Sequence, residues 1–281
     1  METTSLPLEL SDRLSPELYD RIIDHLHSFK HSLATCSIVC QSWFPASRYH
    51  LFLDINLSPN LVHFLHSSPH AMETITPYIH NVTLGGAWLL EQRSEFDTTI
   101  SLLLMLDNVR GLSLETWCWD FLSNASKNLL LRSQGTFSWN VTDINMRYIR
   151  FPSFSTLVEF IGKFPMLRTL SLDNVTWNFD NECHISGEPQ VCSFRPLHLI
   201  KLYVQSCFVE PILSWLFGDA FTHNAPTPPI RVLALPETLP GELDIVGNVL
   251  RILGSNLQHV ELGFLSVSFD DAANHSNVST S

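Results

Sequence analysis

Basic residues are scarce in this chain of 281 residues: 16 Lys plus Arg stand against 28 Asp plus Glu, a formal net charge of −12. A surface that neutralises nucleic-acid phosphates or settles on an anionic membrane needs the opposite balance, so neither nucleic acid nor membrane is expected as a partner. Charge of either sign is sparse at 16%, against 45% hydrophobic residues, which excludes disorder along most of the chain. Long apolar runs are missing too. The longest, Leu102–Leu106 with Ile100 just before it, falls far short of the roughly 20 residues that a spanning helix needs. Met1–Leu10 holds Glu2 and Glu9 but no Lys or Arg and no apolar core, so no signal peptide is expected. The Asn-x-Ser/Thr triplets at Asn81, Asn124, Asn140, Asn174, Asn274 and Asn277 then read as chance.

Paired cysteines are absent as well. Cys36, Cys40, Cys118, Cys183, Cys192 and Cys207 include no Cys-x-x-Cys, and read as buried thiols of a reducing compartment. The expected location is cytoplasmic and/or nuclear. With eleven glycines there is no glycine-rich phosphate loop, and neither Gly-x-Ser-x-Gly nor His-Glu-x-x-His occurs. No catalytic residue, cofactor or metal is therefore expected. The polar stretch Asn178–Arg195 offers Cys183, His184 and Cys192, but their spacing fits no zinc pattern and a fourth ligand is not evident.

The first fifty residues read as three short helices. Ser15-Pro16-Glu17 provides a capping hydroxyl, proline at the first helical position and a carboxylate at the positive dipole end. Leu18, Ile22 and Leu26 then form one stripe. After a polar connector, His27–His31, Ser32 is expected to cap a second helix bearing Leu33, Cys36, Val39 or Cys40, and Trp43. Pro45 starts a third segment ending at Leu51-Phe52. Helices this short cannot bury all of that apolar surface among themselves, so another part of the chain or another protein must cover some of it.

These residues resemble an F-box. The specific part is Leu33-x-x-Cys36-Ser-Ile38-Val39-Cys40-x-x-Trp43, flanked by Leu14-Ser-Pro16-Glu17-Leu18, Ile22-Ile23, Leu26, Arg48 and Leu51-Phe52. The family usually has proline directly after the first leucine, where this chain has Ser15; Leu6-Pro7-x-Glu9-Leu10 offers a second register, and the spacing to Ile22-Ile23 favours the later one. The style is similar to the large F-box sets of mushroom-forming fungi. The resemblance implies docking on a Skp-type adaptor, and through it a cullin. The matching adaptor-binding positions are Leu14, Pro16, Leu18, Ile22, Leu26, Leu33, Cys36, Val39, Cys40 and Trp43, some serving as internal core.

The rest of the chain repeats. The template apolar-x-x-apolar-x-apolar starts at Ile79, Val109, Val141, Leu167, Leu199, Ile230 and Leu257, in steps of 30, 32, 26, 32, 31 and 27 residues. Helical patterns lie between: after Ser58-Pro59, after Asp97, over Phe121–Leu131, after Ser155, over Ile212–Phe217, and over Leu243–Leu253 with Gly254 to end it. One strand and one helix per step describes an irregular leucine-rich-repeat-like solenoid, whose units bury their apolar faces by stacking. The steps exceed the roughly 20 to 29 residues typical of such repeats. The repeat's Asn/Cys position is matched once, by Cys207. An ordinary α/β domain with the same element order is the competing architecture.

The fold expected is thus α/β: a short all-helical F-box, then an irregular solenoid with a curved parallel sheet. The divisions are a flexible N-terminus (1–11), the F-box (12–55), the solenoid (56–268) and a disordered tail (269–281). Residues alternating with the strand apolars face the open side of the sheet. Target-binding candidates there are Asp143, Asn145, Arg147, Thr169, Ser171, Asp173, Lys201, Tyr203, Gln205, His259 and Glu261. The expected function is a non-enzymatic substrate-recognition subunit of a Skp–cullin–F-box ubiquitin ligase, joining the adaptor to a target protein. The alternative is a repeat scaffold acting outside any ligase.

Overall fold

The computed structural model describes residues 15–39, 41–85, 93–132, 140–178, 196–222 and 227–264. Among these residues three helices come first: α1 (Pro16–His25), α2 (Lys30–Val39) and α3 (Phe44–Phe52). Ser15 is extended, as a capping residue should be, but its hydroxyl makes no bond to the helix amides. It bonds instead to Glu17, whose carboxyl is held below its usual range by its own backbone amide first and by that hydroxyl second. Ser32 does not cap α2. That helix starts two residues earlier, with the Leu33 amide bonded to the Phe29 carbonyl at 3.0 Å. Its first residue, Lys30, donates through its ammonium to the His50 and Leu51 carbonyls at 2.7 and 3.1 Å, at the negative end of α3.

Buried Ile23, Leu33 and Cys36 form a small core of their own, with Leu26, Trp43, Ala46 and Leu51 packed against it. Burial raises the Cys36 thiol pKa. On its other side α3 leads straight into the sheet. Phe52 packs on the main core, and the Leu53 carbonyl accepts from the His80 and Asn81 amides at 3.1 and 2.8 Å.

All seven repeat templates are strands of one nine-stranded parallel sheet. In order they are β2 (Asn81–Gly85), β3 (Gly111–Cys118), β4 (Asp143–Phe151), β5 (Thr169–Asp173), β7 (Lys201–Gln205), β8 (Val232–Thr238) and β9 (His259–Phe264). Two short strands are additional: β1 (Asp54–Asn56) pairs with β2, and β6 (Thr176–Trp177) pairs with β4. The sheet therefore begins at Asp54, inside the range that the sequence reading gave to the helical unit. Strands that follow one another in the chain lie side by side, β6 aside.

Among the described residues seven helices are interleaved with the strands: α4 (Pro59–Ser67), α5 (Pro69–Ile75), α6 (Arg93–Leu103), α7 (Asn124–Arg132), α8 (Phe154–Ile161), α9 (Val209–Thr222) and α10 (Leu243–Leu253). Ser153, not Ser155, caps α8, accepting from the Thr156 amide at 3.2 Å. Gly254 ends α10 with φ +49°, a conformation that L side chains avoid. Helix and strand apolars merge into one core, in which Val82, Leu112, Ile144, Leu170, Leu202 and Leu233 lie in register across the sheet.

An irregularity recurs within β3 and β4 and just past the ends of β5 and β7. Thr116, Tyr148, Asn174 and Ser206 have φ of 57, 54, 52 and 51°. Each stands two residues beyond the second inward apolar of its strand. A left-handed residue in or just after a strand inserts an extra outward position, so the chain points out twice and then returns Trp117, Ile149 and Val175 to the core. Cys207, the position matched to the repeat's Asn/Cys, accepts from the Val175 amide at 3.1 Å and donates to the Gln205 carbonyl at 3.0 Å. Burial pushes its thiol up to about 12.

Candidate docking surfaces

α1 carries two adjacent apolar stripes, and the structure separates them. Tyr19 and Ile23 turn inward, with the Tyr19 ring 5.9 Å from that of Trp43. Leu18 and Ile22 turn outward and stay 46% and 45% exposed. α2 divides likewise: Leu33 and Cys36 are buried, whereas Ile38 is 83% exposed and Val39 is also exposed. Phe29, in the turn between the helices, and Phe44, at the start of α3, are exposed as well. Arg48 lies 3.8 Å from the Phe44 ring centroid.

Of the ten adaptor-binding candidates, Leu18, Ile22 and Val39 are thus on the surface, while Leu33 and Cys36 are core and Leu26 and Trp43 pack on that core. Pro16 opens α1. Leu14 and Cys40 lie outside the described residues. Sequence reasoning missed Phe29, Ile38 and Phe44. Ile38 was legible in principle, since it stands two positions from Cys36 and so falls on the opposite side of a helix.

The second surface is the side of the sheet that faces away from the helices. Strand register gathers the target-binding candidates into three rows. Asp143, Thr169, Lys201 and His259 lie along one, with Val232 between the last two. Asn145, Ser171, Tyr203 and Glu261 form the next, with Ala234 before Glu261. Arg147, Asp173 and Gln205 form the third. Neighbours in these rows bond to one another: Arg147 Nε to Asp173 Oδ2 at 3.3 Å, and Asn145 Nδ2 to Ser113 Oγ at 3.1 Å. Glu237 accepts from Gln205 Nε2 and Ser206 Oγ at 3.3 and 2.7 Å. A Cβ at Gly111 would run into the Asn81 amide, whose Nδ2 donates to Asp54 at 2.6 Å.

Among the described residues no three His, Cys, Asp or Glu side chains gather as a metal site would, and no helix is long and apolar enough to cross a membrane. Cys183, His184 and Cys192 lie outside the described residues. No protein-family model matches this sequence, and no curated protein matches it.

Proposed function

We propose that the chain is a protein-binding subunit without catalysis of its own. Within that class we assign it the role of substrate-recognition subunit in a Skp–cullin–F-box ubiquitin ligase. The helical unit docks a Skp-type adaptor and so joins a cullin. The repeats, a leucine-rich-repeat-like solenoid in this reading, hold a target protein on the open side of their sheet. Ubiquitin transfer belongs to other subunits, and this one accelerates it by keeping target lysines close to the activated ubiquitin.

The observation that carries the reading is the apolar surface of the helical unit. Leu18, Ile22, Ile38 and Val39 remain exposed on helices whose other sides are already packed. They belong to the stretch that resembles an F-box. A partner helix face would bury them at about 25 cal/mol per Å² of apolar surface. Co-expression with a Skp-type adaptor followed by size-exclusion chromatography tests this. Wild type is expected to co-elute, and Leu18→Asp combined with Val39→Asp to separate while keeping its own elution volume and circular dichroism. Separate elution of the wild type overturns the ligase reading.

A further inference from the structure

One row of the sheet stands apart from those already described: the residue just before each strand, where the chain turns onto the sheet. Its backbone is pinned throughout. The Arg110 carbonyl accepts from both the Thr142 and Asp143 amides (2.8 and 3.0 Å), and the Arg168 carbonyl from those of Ile200 and Lys201 (2.7 and 2.9 Å). The Arg231 carbonyl does the same for Gln258 and His259 (2.8 and 3.0 Å). Each residue of the row is therefore fixed at the same height as its neighbours.

Arg110, Arg168 and Arg231 occupy alternate places in this row, before β3, β5 and β8, separated by Thr142 and Ile200. All three are exposed, and none has a side-chain bond or ion pair among the described residues. Lys201, exposed at the start of β7, adds a fourth cation. On the strands between them the acidic residue adjoining this row in the chain is Asp143, whose Oδ2 accepts from Thr142 Oγ1 at 2.6 Å. In a chain of net charge −12, unpaired cations in register are a local reversal of sign. Strands lie about 4.8 Å apart, so the guanidinium groups recur about every 10 Å. A peptide in the extended polyproline-II conformation advances about 3.1 Å per residue with three residues per turn, so every third side chain faces the same way and recurs about every 9 Å.

We propose that this rim holds an extended acidic segment of a target protein, with Asp or Glu at every third residue. The inference rests on the target-binding reading above and gives it a substrate class. Arginine suits the task, because its planar fork accepts a carboxylate through two parallel hydrogen bonds. Spacing supplies selectivity, since a run of adjacent carboxylates presents only one or two to the rim at a time.

Fluorescence anisotropy at low salt tests the proposal with three labelled peptides: Glu-Gly-Ser-Glu-Gly-Ser-Glu, its isomer with the three Glu adjacent, and the Lys counterpart of the first. The spaced acidic peptide is expected to bind the full chain at least about five-fold more tightly than the isomer, and the Lys peptide not at all. Arg110→Gln, Arg168→Gln and Arg231→Gln together are expected to weaken it at least ten-fold, more than the two- to three-fold left by any one of them. Equal binding by wild type and triple variant overturns the proposal, as does indifference to spacing or tighter binding of a single-stranded oligonucleotide. The triple variant must still co-elute with the adaptor if the adaptor reading holds. Loss of peptide binding and loss of adaptor binding are therefore separate results.

Discussion

Glu242 is a carboxylate 5% exposed, and it closes three backbone amides at once. Its Oε1 accepts from Val209 and Glu210 at 2.7 and 3.2 Å, at the start of α9, and its Oε2 accepts from Leu239 at 3.0 Å. A carboxylate at a helix N-terminus is favoured by the dipole and by the amides that have no partner inside the helix. Replacing it with Ala leaves those donors buried. Each orphaned amide costs about 1–3 kcal/mol, and removal of a buried charge returns part of that. The net expected for Glu242→Ala is a loss of about 3 kcal/mol, or roughly 6–10 °C in Tm for a domain of this size. Glu242→Gln keeps one acceptor oxygen and turns an amide group towards a donor, so about half that loss is expected. Urea unfolding followed by circular dichroism measures both, with exposed Glu261→Ala as the reference, expected within about 0.5 kcal/mol of wild type. Glu242→Ala at the level of that reference would refute the argument that this one side chain ties α9 to the next repeat.

Thr116→Gly relieves a left-handed β-branched residue and is expected to be neutral or to stabilise by up to about 1 kcal/mol, whereas Thr169→Gly, at a position of ordinary strand backbone, costs about 1 kcal/mol; unfolding curves read the opposite signs. Ser47 is fully buried on α3, its hydroxyl without a partner among the described residues, so Ser47→Ala is expected to be neutral or to stabilise by up to about 1 kcal/mol in the same assay. Arg48 spans the Phe44 ring and the Thr74 carbonyl (3.3 Å) at the end of α5, and Arg48→Ala is expected to lower stability by about 1–2 kcal/mol, with Arg48→Lys losing less. The Cys207 thiol, raised from 9.0 to about 12, stays protonated in the folded chain while the unfolded chain ionises. Stability from this group is accordingly complete below pH 9 and is lost as pH rises towards 12, and native alkylation by iodoacetamide at pH 8 is expected to be far slower than after denaturation.

The repeats were legible because burial is periodic: each strand had to return its apolar residues to one side, and the spacing of those residues is written in the sequence. The left-handed ladder was not, because Thr116, Tyr148, Asn174 and Ser206 share no residue type. Only Asn174 among them is a type that favours the left-handed region, so residue preference does not mark the row. β1 escaped notice because its three residues contribute one buried side chain, Ile55, too few to show alternation. On α1 the pattern named the helix but not its inner side. Leu18-Ile22 and Tyr19-Ile23 are equally good stripes, and only tertiary packing chose the second. The rim arginines stand at positions that the strand template counts as filler, so they became visible once register aligned them.

The central claim is that the outward stripe of the helical unit is an adaptor-binding surface. Isothermal titration of a Skp-type adaptor into the chain tests it most directly, using wild type and the pair Leu18→Asp and Ile38→Asp. Both positions are exposed in the free chain, so the substitutions leave its core intact. Burying two carboxylates without partners costs several kcal/mol, so the account predicts saturable wild-type binding weakened at least a hundred-fold in the variant. Absence of wild-type binding, or equal affinity in the two proteins, would contradict it.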